Sequence, residues 1–354
     1  MENACFAGAT RVASPTDPSR RRLALGLALG GALAAWPLAG SATTPPARRR
    51  EARPLMGTRV EIAAQSGDPV ALRAAVDAAF ERMAALAASM SHYAPTSRVA
   101  AINLAAGLQP VPVPPELMQV LAMARAVSKR SDGAFDITVG SVGQWHFDPA
   151  NPRMPSATHI SRHLPDVDYR NLVLNERTGT AYLARRGMRI DPGGIAKLYI
   201  LDAGMQSLRA HGLKTALVNG GGDVVAMTAP GMRPWRVGLR DPRQPDRLLG
   251  ALDVRHGFVA SSGDYERFFV RDGRRYHHVL DPRTGYPAEG PHGVTLVGDT
   301  LESVNGVGAA AMVLPGAAGR ELVRRSGVQA LVAHRDGAFW TTPALGDRLQ
   351  RVAA

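Results

Sequence analysis

Ser261–Gly285 reads SSGDYERFFVRDGRRYHHVLDPRTG, and it gathers polar, aromatic and acidic residues at a density that no apolar core requires. Its RYHHVL stretch (275–280) has strand character. On a strand His277 and His278 face opposite ways, so only one of them can point into a given cleft. His278 stands three residues before Asp281 at the strand-to-turn junction and is the candidate general base. An imidazole with an ordinary pKa near ~6.5 suits removal of a proton from an alcohol at neutral pH, and a nearby carboxylate would orient the ring and raise that value. The alternative is a paired structural histidine. Asp281-Pro282-Arg283-Thr284-Gly285 reads as a turn, with proline fixing the backbone and the Asp and Thr side chains free to bond backbone amides.

Two glycine-rich junctions lie upstream. In IDPGGIAKLYILDAGMQSL (Ile190–Leu208) a strand end meets Gly193-Gly194 and then a helix whose first turns hold Ala196 and Lys197. Such a junction presents backbone N–H groups and the positive end of a helix dipole to an anion. Lys197 is one of only three lysines in a chain that otherwise uses arginine, which suggests that a compact ammonium is wanted here. The bland alternative is a tight turn followed by a solvated lysine, and the spacing is not that of a Walker or Rossmann loop. In LVNGGGDVVAM (Leu217–Met227) a strand runs into three glycines and an Asp, where a ligand or another backbone can approach closely, or where the chain merely makes a hairpin turn.

Further out, MGTRVEIAA (Met56–Ala64) has strand character, and Pro69–Ser91 puts Leu72, Val76, Phe80, Met83, Ala87 and Met90 on one helical stripe. A second helix begins at Pro115 and ends at Ser131-Asp132-Gly133. Residues 148–170, rich in Pro, Asp, His and Ser, suggest an irregular excursion where any domain boundary would fall. Short apolar strands at 216–218, 235–239, 275–280 and 294–297 alternate with helices at about 195–211, 301–314 and 317–326, an α/β or α+β layout with mixed sheets. No repeat of 20 to 50 residues is visible, which argues against solenoids and propellers.

The 354 residues carry a formal charge of +12, and removing residues 1–42, with four arginines and two acids, leaves +10. That basic surface suits anionic ligands, while the lack of a basic run interleaved with aromatics argues against nucleic acid. The sole cysteine, Cys5, precedes the apolar run LALGLALGGALAAWPLAGSA, so a chain cleaved after that run has no thiol chemistry. Ser19-Arg20-Arg21-Arg22 ahead of this run reads as an export signal over residues 1–42, of twin-arginine type and cleaved near Ala42, or else left as a membrane anchor. The expected destination is the periplasm. Residues 43–54, including ARRREAR (Ala47–Arg53), read as a solvated linker, and 55–354 as the functional domain.

Taken in order, MGT (56–58), SHYAPTSRVAAIN (91–103), DGAFDITVG (132–140), DPGGIAK (191–197), NGGGDV (219–224), SSGDYERF (261–268) and HHVLDPRTG (277–285) resemble the FAD:protein FMN transferase family, of ApbE type. The resemblance implies an α+β fold, a two-lobed mixed α/β sandwich with FAD in the cleft between lobes and a divalent cation, Mg²⁺, at the pyrophosphate. It implies transfer of FMN to a Thr or Ser hydroxyl of a partner flavoprotein, with release of AMP. Carried over by position, Met56, Tyr93, Ala134, Phe135, Asp136, Asp191 and Lys197 are FAD contacts, His278 and Asp281 the catalytic pair, and Thr284 a neighbour on the same loop. Such chemistry needs a positioned alcohol, a base and positive charge on the pyrophosphate. The family's cation rests on an Asp, a Thr and a glycine-turn carbonyl, here that of Gly194. Aligned without gaps from Val297, that Asp falls on Asn305 and that Thr on Ala309, so the cation should be held far more weakly. Pro192, Gly194 and Leu198 are milder departures. Two rival functions use the same cleft: an FAD-binding protein with weak or lost transferase activity, and hydrolysis of the FAD pyrophosphate by water.

Overall fold

Asp223–Met227 (DVVAM) is buried at all five positions, which requires cover on both faces of its sheet. Val225 and Met227 belong to one apolar core, whereas Val224 and Ala226 belong to another on the opposite face. The computed structural model describes residues 47–350, and these belong to one compact unit, Thr44–Ala354. The export segment expected at residues 1–42 lies outside the described residues.

The sheet has eight strands that follow one another in chain order: β1 (Ala47–Leu55), β2 (Thr58–Ser66), β3 (Thr215–Gly220), β4 (Asp223–Met227), β5 (Gly257–Gly263), β6 (Gly293–Gly298), β7 (Gln329–Ala333) and β8 (Phe339–Thr341). Every neighbouring pair is antiparallel. This departs from the mixed sheets expected of a strand–helix alternation. The reason lies in the connections: two-residue hairpins join β1 to β2 and β3 to β4, and the long excursion between β2 and β3 returns the chain antiparallel.

One face is covered by α1 (Pro69–Met90), α3 (Ala196–Ala210) and α4 (Val307–Val313). The expected stripe on α1 is buried at Leu72, Val76, Phe80, Met83 and Met90, and Asp68 caps the helix by accepting from the Val70 and Ala71 amides. Met83 meets α3 at Gly204, where a Cβ would come within 2.6 Å of its sulfur. The other face is covered by the hairpin Trp235–Asp241/Gln244–Val254 through Val237, Leu239, Leu252 and Val254. A smaller three-stranded sheet (Val111–Pro112, Thr180–Leu183, Leu172–Asn175) accompanies α2 (Pro115–Arg130). The segment 148–170 folds as the short helix Ala157–His163 and two 3-10 turns, and it does not divide the unit.

Residues 47–54 are not a linker. They form most of β1, in register with β2 from Ala47↔Ser66 to Leu55↔Thr58. The charge run misled because its arginines find acids on neighbouring elements: Arg50 Nε donates to Glu61 at 2.7 Å, and Arg53 reaches Glu51 and Asp77 while its guanidinium lies 4.4 Å over the Phe80 ring. An edge strand tolerates such charge and benefits from it.

Two other expectations fail for local reasons. The helix expected at 301–314 is two helices, Leu301–Val304 and α4, broken at Asn305-Gly306 with Gly306 at φ +75°. The strand expected to reach Leu280 ends at His277.

Gly221 sits at φ +61° with a virtual Cβ only 2.7 Å from Thr58 Oγ1, so the β1–β2 and β3–β4 turns interlock there. Gly221→Ala should lower unfolding free energy by about 1–3 kcal/mol, read as a shift of the urea midpoint at unchanged slope.

Candidate active site

The hairpin turns at one end of the sheet build its floor. Met56 and Gly57 have φ of 54° and 70°, and Gly221 and Gly222 have 61° and 95°. Positive φ at both central residues is what a tight primed turn demands. Methionine in the left-handed region is strained, at a cost of order ~1–3 kcal/mol, and it persists here against the glycine turn beside it.

Above this floor stands the amino end of α3, whose leading residue, Ile195, offers no side-chain cap. Its first N–H groups are therefore left for an anion. Lys197 in the first turn reaches Asp223 Oδ2 at 2.7 Å, while Asp223 Oδ1 accepts the Ser261 amide at 2.8 Å. One carboxylate thus joins the three stretches that the sequence offered separately. Just before this helix, Asp191 Oδ1 accepts the Gly193 amide at 2.8 Å and lies 3.0 Å from His92 Nδ1. Burial would raise the Asp191 pKa, but His92, the Gly193 amide and Arg267 together bring it below the ordinary value.

His277 is buried and turns inward, its Nε2 2.9 Å from the Ala288 carbonyl. His278 stands just past the strand, half-buried, with its amide donating to the Arg267 carbonyl at 3.1 Å and its Nδ1 3.3 Å from the same oxygen. Arg267 in turn donates to the Tyr93 hydroxyl at 3.0 Å. Tyr93, Arg267 and His278 therefore belong to one cluster. Desolvation, followed by the positive charges of Arg267 and its neighbours, pushes His278 down to about 4.

This corrects the expected pairing. Asp281 does not orient His278 or raise its pKa, because both its oxygens serve Arg283: the Arg283 amide and Nε donate to Oδ1 at 2.9 and 3.0 Å, and Nη2 to Oδ2 at 3.0 Å. Asp281 instead braces the turn, and Thr284 Oγ1 accepts the Tyr286 amide at 3.2 Å in the same loop. Trp145 Nε1 docks that loop through the Gly285 carbonyl at 3.0 Å.

Asp136 is also a brace. It is buried, Oδ1 accepts from the Thr138 amide and hydroxyl at 2.8 and 2.6 Å, and Oδ2 accepts from the Tyr169 amide at 2.8 Å. Ala134 and Phe135 are buried beside it, and a Cβ on Gly194 would stand 3.2 Å from the Phe135 ring. These residues shape the wall under the Pro192–Gly194 turn.

The corner expected to hold a cation does not fit one. Asn305 is buried, uncharged and donates its Nδ2 to the Ile195 carbonyl at 2.8 Å, and the Ala309 side chain has no hydroxyl to offer. Among the described residues no group of three His, Cys, Asp or Glu could hold a metal ion.

His92, Asp223, Arg267 and Trp145 escaped the sequence reading as site residues. The first three lie inside quoted motifs, but their partners are far away in the chain. Only Asp223, directly after three glycines, carried a local signal.

The ApbE family matches residues 56–332. The chain belongs to the ApbE family. Its fold superposes on an ApbE protein from Thermotoga maritima with a TM-score of 0.79 at 32% identity, covering 86% of this chain and all of that one. A flavinyl transferase ApbE of Pseudomonas stutzeri in its apo form gives 0.74 at 28% identity, over 88% of this chain and 99% of that one. In sequence, the chain is 37% identical over 195 residues to an FAD:protein FMN transferase of Klebsiella pneumoniae, a match that spans 54% of this chain and 60% of that protein. It is 35% identical over 253 residues to an FAD:protein FMN transferase of Treponema pallidum, spanning 66% and 69%. The ApbE fold thus accounts for the α+β architecture expected from the motifs.

Because the folded state holds His278 neutral down to about pH 4 while the unfolded chain takes up a proton below ~6.5, the stability due to this site is present above ~6.5 and is lost as pH falls toward 4. His278→Asn should flatten that part of the melting temperature against pH curve.

Proposed function

We propose that this chain transfers FMN from FAD to a Thr or Ser hydroxyl of a partner flavoprotein, releasing AMP. The observation that carries the reading is a neutral imidazole, His278, set beside the cation Arg267 at the sheet end where Lys197 and the open amino terminus of α3 also stand. An alcohol, a proton acceptor and positive charge around a pyrophosphate are what displacement at phosphorus requires.

The acceptor oxygen forms a bond to the FMN phosphorus as the bond from that phosphorus to the bridging oxygen breaks. AMP takes the bridging oxygen and its electron pair, and the acceptor proton passes to His278. A bound pyrophosphate offsets the positive charge of Arg267 and Lys197, two of the causes that depress His278, and so makes its ring more basic in the complex than in the free protein. No step is routed through magnesium, since a neutral amide at Asn305 and a methyl at Ala309 replace the acid and hydroxyl that would suit it.

FAD and an acceptor domain should give a fluorescent covalent flavin band and one AMP per flavin. His278→Ala should slow this by about 10²–10⁴-fold. AMP formed without any acceptor would favour hydrolysis instead. The other rival, an FAD-binding protein with little turnover, draws support from the capture of Asp281 by Arg283, and it predicts FAD binding with no AMP.

We infer from residues 1–42 that the protein is exported to the periplasm by the twin-arginine route. Substituting Arg20 and Arg21 by Lys should leave it in the cytoplasmic fraction.

A further inference from the structure

Asn305 breaks what would be one helix in order to reach 110 residues back along the chain, where its Nδ2 meets the Ile195 carbonyl at 2.8 Å and Met123 Sδ at 3.1 Å. The carbonyl decides which way this amide is turned. With Oδ1 in that place, two oxygen lone pairs would face each other in a buried pocket, which is costly. Both Nδ2 contacts are thus spent on Ile195 and Met123, and where the ApbE pattern places a carboxylate the corner offers a cation no negative charge and at most one neutral amide oxygen. Positive charge stands elsewhere. Arg267 makes no salt bridge among the described residues, and its guanidinium is anchored on the Tyr93 hydroxyl at 3.0 Å, beside His278. Lys197 stands across the floor on Asp223.

We propose that the FAD pyrophosphate is held here by Arg267 and Lys197 without a divalent cation, and that the Asn305 amide closes the vacated metal corner as a structural hydrogen bond. This rests on FAD being the ligand of the site. Arginine suits the task, because its planar fork can bridge two phosphate oxygens and keeps its charge at any working pH.

The test measures FAD affinity of the purified chain by flavin fluorescence and by calorimetry, in excess chelator and in millimolar Mg²⁺. Affinities within about twofold of each other are expected, and a tightening of tenfold or more by Mg²⁺ overturns the proposal. Arg267→Gln should weaken FAD by about tenfold or more in both buffers, with Arg267→Lys recovering only the part due to charge; wild-type affinity in Arg267→Gln overturns it as well. Asn305→Asp sets a carboxylate oxygen against the Ile195 carbonyl, so its melting temperature should fall in chelator and recover on adding Mg²⁺. A variant that melts like the parent and ignores Mg²⁺ overturns the account of the corner. FAD that binds only with Mg²⁺ defeats this proposal alone, whereas no FAD binding under any condition defeats the functional reading with it.

Discussion

A single carboxylate, that of Asp223, ties this molecule together. It lies at the start of a strand covered on both faces, and it fixes the ammonium of Lys197 on one side and the Ser261 amide on the other. Through the first contact the amino end of α3 is set over the sheet, and through the second β5 enters its serine- and glycine-rich end at the right height. Asp223 is almost wholly removed from solvent, so the carboxylate depends on both partners to offset its lost hydration. The adjacent turns make this possible. Only glycine lets the β3–β4 loop lie against Thr58 without collision.

Much of this was legible in the sequence, and the parts that were not share a cause. The helical stripe Leu72–Met90 and the apolar strands at 216–218, 235–239 and 294–297 are local patterns, and they fold as written. The glycine junctions and the His-His pair also announced themselves. Pairings between distant segments did not. Asp281 was matched with His278 because they are close in sequence, yet Arg283 is closer still and its fork takes both carboxylate oxygens. Asp136 resembles a ligand contact, but its oxygens are taken by two local donors on Thr138 and by the distant Tyr169 amide. The arginine run at 47–53 looked solvated because the acids that neutralise it, Glu61 and Asp77, sit on other elements.

The chemistry gains a particular character from these replacements. With Asp281 occupied and the metal corner closed by an amide, the polar work of the site falls on a few groups that approach from three directions: the helix terminus with Lys197, the Tyr93–Arg267 pair, and His278 at the strand end. Lys197 is held by the buried Asp223, His278 by the Arg267 carbonyl and the Arg267 guanidinium by the exposed Tyr93 hydroxyl.

The position of β1 carries a consequence for maturation. The strand begins at Ala47, so if the proposed leader were cut near Ala42 only four residues, 43–46, would separate the new terminus from the sheet, a reach of at most about 14 Å. Trimming further in would strip the arginine-bearing border and leave the backbone of β2 as a bare template for another chain. Under the proposed export, the point of cleavage would therefore also decide whether the border of the sheet stays covered.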